Sequence, residues 1–199
     1  MAAAALAAGL ITSKAQVYSQ NVVGYITITN AANQFALLSN PLDNGTNNLT
    51  SLFPSAPNGT QVQVWTGTGF QGAQKSFGNW NTNLTISVGE GFFIKFPSAQ
   101  TNTFVGDIPV SVGATNTVAL PAATFALVGS TIPYTDNLTG TNLDLQLANG
   151  SQVQVWNGIA FQGAQKSFGN WNTNLLIQPG EGFFVKSATS TNWSQVFNP

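Results

Sequence analysis

The stretch FQGAQKSFGNWNTNL at residues 70–84 recurs without change at residues 161–175. Two flanking motifs are repeated with it: QVQVW at residues 61–65 and 152–156, and GEGFF at residues 89–93 and 180–184. The period of about 91 residues is the size of a small β domain and is too long for a solenoid unit. The sequence therefore predicts a tandem duplication, with a boundary near residues 107–113.

Each unit carries the alternating pattern of a half-buried strand. In residues 61–65, Val62 and Val64 alternate with Gln61, Gln63 and Trp65, and the copy at 152–156 does the same. In the second unit this strand leads into Asn157-Gly158, a dipeptide typical of two-residue hairpins because both turn positions need positive φ. Further strands are predicted at 25–29, 35–39, 92–96, 103–105, 117–120, 124–128 and 183–186, and short helical turns at 49–53 and 143–147. We predict an all-β chain of two tandem duplicated β-sandwich or barrel-like modules, at residues 30–109 and 110–199.

Charged residues are scarce in this chain. Lys and Arg number 5, Asp and Glu number 6, the net charge is −1, and His and Cys are absent. The balance excludes the basic surface that nucleic acids or anionic membranes require. The missing residue types exclude Ser–His and Cys–His triads and imidazole or thiolate metal sites. The Asp residues follow no calcium-loop spacing, so we predict no enzymatic activity, no catalytic residues, no metal and no cofactor.

The N-terminus has the pattern of an export signal. Residues 2–11 form an apolar run too short to span a bilayer as a helix, and Ser13 and Ala15 provide the small residues of a cleavage site. We predict a signal peptide over residues 1–15, a secreted or cell-surface location, and no membrane attachment after processing. The alternatives are an Ala-rich helix of the mature fold or a retained anchor.

The segment that follows, residues 16–29, is β-prone and almost free of charge. Edge strands usually carry Lys or Pro to prevent pairing with other chains, and this segment carries neither. We predict an N-terminal strand that a neighbouring copy could accept as a donor strand. The residues predicted to carry this contact are Val22, Val23, Tyr25, Ile26 and Ile28. The alternative is an ordinary first strand of its own module.

Several short motifs occur in a distinctive order. FALLSNPL at 35–42 is followed by LFP at 52–54, VQVW at 62–65, Trp80 and GEGFFI at 89–94. This order resembles modules repeated in secreted bacterial surface proteins. The second copy keeps the later motifs but has STIP at residues 130–133 where the first has NPL. The resemblance implies β-rich, non-catalytic parts of the cell exterior, and it bears on location and fold more than on mechanism.

Four tryptophans are candidate ligand-stacking residues, because exposed indoles beside Asn and Gln suit sugar rings. These are Trp65, Trp80, Trp156 and Trp171. Duplication would then give two sites and avidity. The alternative is that each indole closes one end of its own β core.

Six of the charged residues occupy equivalent positions in the two units. They are Lys75, Glu90 and Lys95, with Lys166, Glu181 and Lys186 in the second copy. We predict ion pairs within each module, worth at most about 1 kcal/mol if exposed. The alternative is a Lys–Asn isopeptide crosslink with the Glu as proton shuttle, which requires an apolar pocket.

Together these features predict a secreted structural protein that forms an extracellular filament or surface layer. Copies would assemble head-to-tail into a homopolymer through β-strand pairing, because a heterologous contact that does not close gives an open filament. The alternative is a carbohydrate-binding or adhesive module that uses the exposed Trp residues to bind a polysaccharide.

Overall fold

The computed structural model describes residues 23–198. In the first module the elements are β1 (Val23–Asn30), β2 (Phe35–Ser39), α1 (Leu49–Leu52), β3 (Gln61–Trp65), β4 (Phe70–Ser76), β5 (Asn79–Trp80), β6 (Gly91–Lys95) and β7 (Gln100–Asp107). In the second they are β8 (Thr115–Leu120), β9 (Phe125–Gly129), β10 (Asp136–Asn137), β11 (Gln152–Trp156), β12 (Phe161–Ser167), β13 (Asn170–Trp171), β14 (Leu176–Ile177), β15 (Gly182–Lys186) and β16 (Thr191–Val196).

The two modules share one topology. The first has a five-stranded antiparallel sheet in the order β2-β6-β3-β4-β5, and a separate two-stranded ribbon of β1 and β7. The second repeats this with the sheet β9-β15-β11-β12-β13 and the ribbon β8–β16, and adds the short pair β10–β14. The prediction of an all-β chain of two tandem modules is confirmed, and the described sheets do not close into a barrel.

Each module buries its core between the sheet and the ribbon. In the first, Val62 is fully buried on the inner face of β3. Phe53 lies at the centre and makes edge contacts with Phe92 of the sheet and Phe104 of the ribbon, each at 5.7 Å between ring centroids. In the second, Phe183 meets Trp193 at 5.6 Å. Aromatic rings therefore join the two layers of both modules.

One of the two predicted helical turns is wrong. Residues 143–147 form no helix: Leu143, Leu145 and Leu147 are buried while Asp144 and Gln146 are exposed, so burial alternates with a two-residue period. The helical turn predicted at 49–53 is confirmed as α1.

The hairpin after β11 is present, but its turn is not a two-residue Asn-Gly turn. The loop spans residues 157–160, and the Asn157 side chain accepts hydrogen bonds from the Ile159 and Ala160 N–H groups. Asn157 therefore acts as a side-chain acceptor, a common role for Asn in turns, and only Gly158 has positive φ. No helix within residues 23–198 is long and apolar enough to cross a membrane.

Candidate functional site

The outer faces of the two five-stranded sheets pack against each other, and we call this contact the junction. It is formed by β2, β3 and β6 with their equivalents β9, β11 and β15. Leu37, Leu127 and Phe184 are buried there, with Trp65, Phe93, Phe125 and Trp156 packed around them. Phe93 and Phe184, which are equivalent residues, lie 6.3 Å apart between ring centroids.

Two equivalent indoles bind the modules to each other. Trp65 Nε1 donates a hydrogen bond to the Phe125 carbonyl at 2.8 Å, and Trp156 Nε1 donates to the Phe35 carbonyl at 2.8 Å. The contacts are reciprocal, as in an isologous dimer interface with an approximate two-fold axis. Trp65 and Trp156 are therefore half-buried parts of the junction, and sugar stacking by either of them stays a prediction.

The repeated GEGFF motif lies at the same junction. Ser39 N–H donates to the Gly180 carbonyl and Gly129 N–H donates to the Gly89 carbonyl, each at 2.9 Å. A Cβ on Gly91 would lie 2.7 Å from Leu127 of the other module, and one on Gly182 would lie 2.4 Å from the Leu38 carbonyl oxygen. Glycine is required at these positions because the backbone of one module approaches the other too closely for a side chain.

The two glutamates of this motif cap their own turns. Glu90 accepts a hydrogen bond from the Ser87 N–H at 2.8 Å, and Glu181 accepts one from the Gln178 N–H at 3.0 Å. Burial raises the pKa of both carboxyl groups above its ordinary value, and these hydrogen bonds oppose the rise.

The four lysines of the predicted ion pairs lie over aromatic rings. The Nζ–centroid distances are 5.9 Å for Lys75 over Trp80, 5.2 Å for Lys95 over Phe35, 5.8 Å for Lys166 over Trp171 and 5.7 Å for Lys186 over Phe125. Lys75 also donates to the Pro54 carbonyl. In the described chain these lysines therefore contact aromatic rings and, for Lys75, a backbone carbonyl, rather than Glu90 or Glu181.

Trp80 and Trp171 are partly buried against the cores of their own modules, as the alternative to ligand stacking predicted. Trp80 Nε1 is buried without a hydrogen-bond partner in the described chain. These two indoles lie outside the junction, on the edge strands β5 and β13, and each has a lysine over its ring.

A cleft of about 420 Å³ opens between the modules at the junction. Its lining is eight aromatic rings and two amides: Phe35, Trp65, Phe70, Phe93, Phe125, Trp156, Phe161, Phe184, Gln63 and Gln154. The residues come from both modules in equivalent pairs, so the cleft exists only where the duplicated units meet.

The predicted donor strand is β1. It pairs with β7 of its own chain over the full length from Val23↔Asp107 to Asn30↔Gln100. Ile26 and Ile28 pack against the core, whereas Val23 and Tyr25 are 52% and 72% exposed. Val22 lies outside the described residues. Pairing between copies stays a prediction.

Two exposed aromatic rings were not predicted from the sequence. Phe77 and Phe168 are 95% and 97% exposed at the tips of the β4–β5 and β12–β13 hairpins. Each has φ of +49° and is followed by a glycine with positive φ, as a type I′ turn requires. Both tips lie within the stretch that recurs unchanged, and this repetition is the sequence signal that could have identified them.

Within residues 23–198, no group of three or more His, Cys, Asp or Glu side chains could hold a metal ion. Comparisons with protein-family models, curated proteins and solved structures find no match. We therefore infer a function from the geometry of this chain.

Proposed function

We propose that this chain is a secreted, non-enzymatic structural protein whose copies associate through β-strand pairing into a filament or surface layer. The supporting observation is the ribbon β1–β7. No residue of β1 pairs with a strand other than β7 in the described chain, and β7 adds only a bridge between Asp107 and Asp43. The outer edge of β1, and that of β7 before its contact with Asp43 at residues 106–107, thus resemble the open edges to which other chains add strands.

The exposed face of this ribbon is uncharged along most of its length. Tyr25 lies directly opposite Val105, and both are exposed. Thr27 shares a hydrogen bond with Thr103 at 3.0 Å. Protective edge strands usually carry lysine, and none is present on either strand. The surface therefore favours contact with another neutral β surface.

The second module supplies a related but different ribbon. On β8–β16, Thr117 and Ser194 share a hydrogen bond at 3.2 Å, and Val196 is 41% exposed. A contact between the first ribbon of one copy and the second ribbon of the next would be heterologous and would extend without closing. We propose addition at the edge, with β1 kept in its own module, because the β1–β7 register is already complete.

The test is the assembly state of the signal-processed chain, measured by analytical ultracentrifugation and negative-stain electron microscopy. We expect polymers, and we expect Tyr25→Lys to yield monomers. Thr68→Lys, in the exposed loop between β3 and β4, is the matched control and should still polymerise. A parent chain that remains monomeric at every concentration would contradict the proposal. If a variant lacking residues 16–29 is monomeric, and a peptide of that segment binds it without restoring polymers, donor-strand exchange replaces edge addition.

A second candidate function is carbohydrate binding, which one groove favours. The groove, of about 440 Å³, is lined by Trp156 together with Gln34, Gln178 and Glu181. Amides, a carboxylate and an indole suit a neutral hydroxylated ligand. The equivalents of Gln34 and Gln178 are Thr124 and Ser87, so the proposal is one such site per chain rather than two. A glycan array with Gln34→Ala and the control Thr124→Ala tests it, and equal loss in both variants would contradict it.

A further inference from the structure

We propose that the aromatic cleft at the junction binds an apolar, ring-bearing molecule that carries one acidic group. This inference is independent of assembly, because the cleft lies between the sheets and not on the ribbons. Its volume of about 420 Å³ is within the range of small-molecule sites, roughly 300–1,000 Å³.

The cleft is not filled by the protein's own side chains. Protein interiors and stable interfaces pack at crystal density, and an apolar void loses contact energy. Here Phe70 and Phe161 remain 46% and 44% exposed at the cleft. Both lie in the stretch that recurs without change, although the neighbouring loop residues differ between copies. If the contact served stability alone, both rings would be expected to be fully buried.

Two polar side chains lie among the aromatic rings of the cleft. Gln63 and Gln154 are equivalent residues and are the two polar side chains of the lining. Both side chains are partly exposed at the cleft, so their amides are accessible to a ligand. Apolar clefts with a few convergent polar groups bind ligands that have an apolar body and few polar atoms.

The charges around the cleft favour an anionic ligand. No acidic side chain lines the cleft. The ammonium groups of Lys95 and Lys186 lie over Phe35 and Phe125, which are lining rings. Neither lysine is part of the lining, but each contacts one of its rings, so we propose that a carboxylate or sulfonate at the rim of the cleft is attracted to one of these cations. Rings of the ligand would meet the aromatic walls in edge or offset contacts.

The test compares two fluorescent probes with related aromatic bodies, using the whole chain. The first is 8-anilinonaphthalene-1-sulfonate, which is anionic, and the second is N-phenyl-1-naphthylamine, which is neutral. We expect saturable binding of the anionic probe at one molecule per chain, with energy transfer from Trp65 and Trp156. We expect the neutral probe to bind at least several-fold more weakly.

Variants separate this cleft from other apolar surface. Gln63→Trp and Gln154→Trp, one on each wall, should abolish binding by filling the cleft. Ala99→Trp is the control, because Ala99 is exposed in the loop between β6 and β7 and lies outside the lining, and this variant should bind normally. Exchanging Lys95 and Lys186 for Gln should weaken the anionic probe about tenfold and leave the neutral probe unchanged.

Three outcomes would overturn the proposal. Binding that survives both cleft-filling variants but is lost in Phe77→Ala/Phe168→Ala would place the probe on the hairpin tips. Equal affinity for both probes would show that the cleft does not select for an acidic group. No saturable binding by any folded variant, as judged by circular dichroism, would show that the cleft is only a packing defect.

Discussion

Ser39 and Gly129 occupy equivalent positions at the ends of β2 and β9, and they face each other across the junction. A Cβ on Gly129 would lie 2.0 Å from Ser39 Oγ and 2.1 Å from Ser39 Cβ. Rotating the serine would not relieve this overlap, because the Cβ position is fixed by the backbone. Only one member of the pair can carry a side chain, so the two modules have become complementary rather than interchangeable.

The first prediction follows from that pair. Gly129→Ser should destabilise the chain by about 1–3 kcal/mol, the usual cost of overpacking a close contact. The exchange Ser39→Gly/Gly129→Ser should recover most of this loss, because the single side chain then lies on the other side. Urea unfolding of the four proteins, the parent, Ser39→Gly, Gly129→Ser and the double variant, gives the coupling energy of the cycle. Additive effects in the double variant would contradict the assigned contact.

The second prediction concerns the indole hydrogen bonds. Trp156→Phe removes the donor to the Phe35 carbonyl and leaves a partly buried acceptor unpaired, which costs about 1–3 kcal/mol. Trp80→Phe is the matched control, since Trp80 Nε1 is buried without a partner in the described chain. Its loss should cost less in the same denaturant titration. A larger cost for Trp80→Phe would contradict the importance of the junction bond.

Local sequence patterns predicted the elements of the fold but not the contact between modules. The strand at 35–39 was predicted with its observed bounds, because alternation and turn residues are local signals. The function of Gly91 and Gly182 was not predictable, since the Leu127 and Leu38 groups that exclude a side chain are remote in sequence. Asn157-Gly158 is the dipeptide that two-residue turns favour, but two consecutive positive φ values occur instead at Phe77-Gly78 and Phe168-Gly169.

The third prediction is a pH dependence of stability. Burial raises the pKa of Glu90 and Glu181 in the folded chain above the ordinary value of 4.5. The folded state therefore binds these protons more tightly than the unfolded state does. Their contribution is fully present below pH 4.5 and is lost as the pH rises through the folded-state pKa.

Glu90→Gln/Glu181→Gln keeps the oxygen acceptor for the Ser87 and Gln178 N–H groups but removes the titration. We expect unfolding free energies of the variant to fall less than those of the parent between pH 4.5 and pH 7. Asp136→Asn is the contrasting control: burial raises the pKa of this carboxyl, but hydrogen bonds from Asn137, Leu143 and Asn142 lower it overall. Its stabilisation is lost on acidification instead. Parallel pH profiles for parent and glutamine variant would contradict the prediction.

The fourth prediction concerns the hairpin tips. Phe77 adopts a left-handed backbone conformation that bulky side chains disfavour and asparagine tolerates, and its ring is almost fully exposed. Phe77→Asn should therefore raise the free energy of unfolding by about 0.5–1 kcal/mol, since no buried contact is lost and backbone strain is relieved. Phe168→Asn should act equally, because the local turn is the same in both modules. Gly78→Ala is the opposite control and should destabilise the chain, since alanine at φ of +80° is strained. If both asparagine variants were destabilised as strongly as Gly78→Ala, the rings would have to make contacts in solution that are absent from the single chain. The tips would then be a contact surface between copies.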